Sequence, residues 1–128
     1  MADLNSYVNI GANTITTVGK IGYLNGGTAT QTGTGQGVTV NQLTGQITLF
    51  KSTWNAGDTE TFNISCNKVA NTDYVMAQSI GTTESSYFNV VAYPFTPLAN
   101  SIRVQVTAIQ SSIVAPIVQF MIMKAATS

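Results

Sequence analysis

The side chains that could do chemistry are few. Ten of the 128 residues are charged and none is histidine, so metal sites and nucleophilic triads built on imidazole have no raw material. Asp58 and Glu60, two apart beside the turn Asn55-Ala-Gly-Asp58, form the one close pair of carboxylates. A glycosidase needs two carboxyls opposed across a cleft, whereas neighbours along one strand face act as solvated charges or, with other oxygens, as a weak Ca²⁺ site. Asp73 and Glu84 read as isolated turn residues. Cys66 is the only cysteine, so no intramolecular disulfide forms. It shares an alternating face with Phe62 and Ile64, which predicts core packing rather than a reactive thiol. Gly33-Thr-Gly-Gln-Gly37 has the glycine content of a phosphate loop but lacks the Lys-Ser/Thr ending and a following helix. It reads as a flexible connection. Asn63-Ile-Ser65 matches a glycosylation sequon, but no secretory signal accompanies it, and the match reads as chance. These residues predict neither an enzyme nor a protein with a cofactor or metal.

Solubility must come from uncharged polar groups, and the chain has 19 Thr, 11 Asn, 10 Ser and 8 Gln. Five basic and five acidic residues cancel. The cations Lys20, Lys51, Lys68, Arg103 and Lys124 are dispersed, so the chain shows no basic patch for nucleic acid or an anionic membrane. The Met-Ala-Asp-Leu-Asn start lacks the pattern of a signal peptide, and no apolar run reaches the ~20 residues that span a bilayer. Zero net charge favours association. The chain is therefore expected either to carry its own partner surface or to sit at high local density in an assembly.

The elements that position these residues are strands. Apolar and polar residues alternate in Ile102-Arg-Val-Gln-Val-Thr-Ala108, putting Ile102, Val104, Val106 and Ala108 on one face. Similar runs are predicted at Thr28–Thr32, Val38–Val40, Gln46–Phe50, Thr59–Cys66, Thr72–Ile80, Ser85–Tyr93 and Ile117–Lys124. A turn is expected at Gln42–Gly45, and Lys51–Ala56 has room for a single helical turn. Seven to eight short strands with no helical crossovers predict an all-β fold, an antiparallel β-sandwich of jelly-roll-like form. The sandwich is placed at residues 26–128, after Asn25-Gly-Gly27, with 1–25 as an N-terminal arm or accessory strands.

Two strands are apolar on both faces. In Ser85–Tyr93, Tyr87, Val91 and Tyr93 oppose Phe88, Val90 and Ala92; in the last strand, Val118, Phe120 and Ile122 oppose Ile117, Met121 and Met123. The second face is either covered within the domain or lines an interface. Tyr87, Val91, Tyr93, Val118, Phe120 and Ile122 are the residues assigned to a subunit or partner interface, and Trp54 is the candidate for an exposed aromatic contact, with core or interface packing as its other reading.

Gly26-Gly-Thr-Ala-Thr-Gln31, Gly37-Val-Thr-Val-Asn-Gln-Leu-Thr-Gly-Gln-Ile-Thr-Leu49 and Ala56-Gly-Asp-Thr-Glu-Thr-Phe-Asn-Ile64 follow one another in order. Thr72-Asp-Tyr-Val75, Ile102-Arg-Val-Gln-Val-Thr107 and Ile117-Val-Gln-Phe-Met-Ile-Met-Lys124 complete the series. Together they resemble a β-sandwich module of tailed-bacteriophage capsid decoration (cement), head-fibre and knob proteins. The resemblance spans about residues 26–124, and Trp54 departs from the small residues expected there. It implies a virion protein, made in the host cytoplasm, that forms a homotrimer and binds the major capsid protein on the outer shell. The alternative is a tail-fibre or knob module that binds a receptor or carbohydrate, with Trp54 and the tyrosines as its platform.

Overall fold

A computed structural model describes residues 26–80 and 90–125. Among them are eight strands and no helix: β1 Gly27–Thr30, β2 Val38–Thr39, β3 Thr44–Thr48, β4 Thr59–Ser65, β5 Tyr74–Ile80, β6 Val90–Pro94, β7 Ser101–Ala108 and β8 Ile117–Met123. They form two four-stranded sheets, ordered β1-β3-β8-β5 and β2-β4-β7-β6. The alternation that predicts strands is also what packs them. Ile102, Val104 and Val106 from β7 and Ile47, Val118 and Ile122 from the first sheet are fully buried in one core. Cys66 lies in that core with Phe62 and Ile64, and its thiol donates to the Gln42 carbonyl.

The sheets are mixed rather than wholly antiparallel. β1 runs parallel to β3 and β2 parallel to β4, while the remaining pairs are antiparallel. Parallel neighbours need a crossover, and here a strand of the facing sheet supplies it. The chain passes from β1 through β2 to β3, and from β2 through β3 to β4, changing sheet each time. That is why parallel pairs exist without helices. β6 and β7 are neighbours in one sheet, joined through Asn100, whose φ of 63° suits the tight return.

Other expectations change at the level of single residues. Thr44 and Gly45, expected in a turn, belong to β3. Gly45 is there for space: a Cβ would come within 2.6 Å of the Phe120 ring and 2.9 Å of Val40 Cγ1. No helical turn forms at Lys51–Ala56; instead Trp54 exchanges backbone hydrogen bonds with Ser112 at 2.8 and 2.9 Å. Residues 1–25, expected as an arm or accessory strands, the first part of the strand expected at Ser85–Tyr93 with its Tyr87, and the turn residue Glu84 lie outside the described residues.

Candidate functional site

The carboxylates do not converge. Asp58 caps its own turn, accepting from the Asn55 N–H at 2.9 Å and pairing with Lys51 at 3.1 Å. The Asn55 bond and then the Lys51 ammonium hold its carboxyl below the usual range. Glu60 points into the sandwich, where one oxygen accepts from the Gly35 N–H at 2.7 Å and the other has no hydrogen-bond partner among the described residues. The two side chains serve separate neighbours and share no cleft. Asp73, expected as an isolated turn residue, is a buried clasp. It accepts from the N–H groups of Ala70 (2.8 Å) and Ala125 (3.0 Å) and pairs with Lys124 at 2.5 Å. The Lys124 ammonium, with those two N–H donors, keeps its carboxyl low. Among the described residues no three His, Cys, Asp or Glu side chains gather as metal ligands.

Trp54 takes the core reading and not the exposed one. It is 1% exposed, its indole N–H donates to the Lys51 carbonyl at 2.8 Å, and the Lys51 ammonium lies 4.8 Å from the ring centroid. The bridge to Ser112 draws it under the sheets. An aromatic sealed in this way offers no stacking face to a ligand.

Of the residues assigned to an interface, Val118, Phe120 and Ile122 are buried at 0–1% exposure. The register explains why. Phe120 stands opposite Gly45, the position with room for its ring, and Val118 opposite buried Ile47. The other face of β8, carrying Ile117, Gln119, Met121 and Met123, therefore turns outward. Val91 is half-buried and Tyr93 exposed on the outer face of the second sheet.

The outer face of the first sheet is the candidate site. The four strands of that sheet contain no charged residue. Cross-strand register arranges the face in rows. Gln46, Gln119 and Gln78 stand side by side, with the Gln78 amide 3.4 Å from the Gln119 oxygen. On one side of this row lie Met121 and Met76, then Met123 and Tyr74; on the other lie Ile117 and Ile80. Tyr74 is 69% and Met76 56% exposed. A depression of about 250 Å³ opens between β5 and β8, walled chiefly by Met76, Met121, Gln78 and Gln119. Met side chains adapt to irregular partners, and each Gln amide both donates and accepts. Such a face makes apolar and hydrogen-bonded contacts without ionic ones.

Sequence reasoning missed Tyr74, Met76 and the glutamine row. Their signal was the absence of any charge from β3, β5 and β8, which is legible only once those strands are known to be neighbours. No family model, curated protein or solved structure matches this chain.

Proposed function

We propose that this chain is a structural adhesion module, a capsid decoration protein that attaches to the outer surface of a tailed-bacteriophage shell and stabilises it as a homotrimer. The observation that carries this reading is the uncharged outer face of the first sheet, from which Tyr74 and Met76 project. Exposed apolar rows around a line of amides favour a partner surface over water. The ordered sequence stretches resembling phage decoration modules supply the kind of partner, the major capsid protein. Each hydrogen bond contributes about 1 kcal/mol, so affinity arises from repetition: a trimer touching several shell subunits gains avidity. An interface without ion pairs also holds at high salt.

The experiment is reconstitution on capsids that lack the protein, prepared from the parent phage. Purified protein sediments as a trimer and co-sediments with expanded shells at a fixed ratio, with little change on raising salt. A protein that stays monomeric and never accompanies shells overturns the reading.

A further inference from the structure

The second sheet carries a different feature on its outer face. There, Thr61 and Asn63 of β4, Ser101 and Arg103 of β7, and Thr96 and Leu98 of the connecting loop line a polar groove of about 320 Å³. Gly35 and Gly37 form one wall. Both are positions where a side chain is unwelcome: Gly35 has φ of 74°, and a Cβ on Gly37 would meet the Asn63 carbonyl oxygen at 3.1 Å. The buried Glu60 carboxylate anchors this wall from behind through the Gly35 N–H.

Among the described residues Arg103 is the single cation lining the groove. Its guanidinium lies 5.4 Å from the Phe95 ring centroid, and its strand position sets it opposite Asn63. No carboxylate among the described residues meets it: Asp58 pairs with Lys51, Asp73 with Lys124, and Glu60 faces inward. An arginine stacked on a ring keeps its planar fork available for two parallel bonds to a carboxylate.

We infer that this groove binds a carboxylate-bearing saccharide, with Arg103 clamping the carboxylate and Thr61, Asn63, Thr96 and Ser101 hydrogen-bonding the ring hydroxyls. Three observations select this ligand. The hydroxyl and amide side chains donate and accept, as sugar hydroxyls do. Leu98, exposed in the groove lining, offers apolar surface to the C–H face of a ring. The volume lies at the small end of small-molecule sites. The groove lies on the sheet opposite the adhesive face, so the inference stands apart from the decoration reading.

The test is titration of the ¹⁵N-labelled protein with galacturonic acid and N-acetylneuraminic acid. Galactose, acetate and a glutamate-rich peptide serve as the neutral, bare-carboxylate and protein-like probes. The acidic sugars are expected to shift the amides of Thr61, Asn63 and Arg103, with galactose and acetate weaker by about tenfold or more. Arg103→Gln, an exposed change that leaves the rest of the spectrum in place, lowers acidic-sugar affinity by about the same factor, and Leu98→Ala weakens both acidic sugars. Tyr74→Ser with Met76→Ser leaves sugar binding unchanged. The inference is overturned if no amide in the groove moves, if Arg103→Gln binds as well as the parent, if acetate matches the sugars, or if only the peptide binds.

Discussion

Replacing Tyr74 and Met76 together by serine probes the adhesive face directly. Burying a Met or aromatic side chain completely contributes about 1.5–3 kcal/mol. Tyr74 and Met76 are 69% and 56% exposed, so more than half of that gain remains to be made on docking. The pair is therefore expected to contribute about 3 kcal/mol per interface, a ~100-fold weakening at 1.4 kcal/mol per decade. Folding stability should shift far less, because neither side chain belongs to the buried core. Sedimentation velocity over a concentration series reads self-association, and a capsid-binding isotherm reads attachment. A urea melt of the same variant checks the fold. If the melt is unchanged and both affinities stay within about threefold of the parent, the first sheet is not the adhesive face and the reasoning fails.

Asp73→Ala strands the N–H groups of Ala70 and Ala125 and unpairs Lys124, and should cost about 3 kcal/mol at neutral pH in urea unfolding. Because the folded-state pKa of Asp73 is lowered from the ordinary 3.8, its contribution is present above that value and is lost as pH falls through the folded value. The gap between parent and variant should accordingly close in acid, and a gap that stays constant down to about pH 2 would contradict the clasp. Gly45→Ala drives a Cβ toward the Phe120 ring and should cost about 1–3 kcal/mol, with Phe120→Leu in the same chain recovering part of the loss. Additive costs in that double-mutant cycle would show that the two positions do not touch.

How much was legible varies with the kind of information each feature needs. The alternation in β7 names its inward set outright, because only one of its faces is apolar. β8 is apolar on both, so period two offers two equally apolar sets and cannot choose between them. The choice comes from its neighbour across the sheet: Phe120 fits inward because Gly45 lies opposite and has no side chain. The sequence leaves Trp54 open between an exposed contact and the core for a similar reason. Its burial depends on pairing with Ser112, far along the chain, and nothing local records that. Asp73 looked like a turn residue, and it does accept from the nearby Ala70 N–H; Lys124 and the Ala125 N–H arrive only when the end of β8 packs beside it. The parallel pairs were hidden because their crossovers are strands of the facing sheet, a connection with no signature of its own.

Composition and period-two patterning thus determined that the described residues are all-β, with a core rich in Val and Ile, and that the chain carries little ionic chemistry. Those properties follow from residue type and nearest neighbours. Which apolar face turns outward, and which strands join their uncharged surfaces into one continuous patch, was decided by the tertiary structure. Side chains from β3, β5 and β8 become neighbours only through cross-strand register, and register is set by contacts between residues distant in the chain.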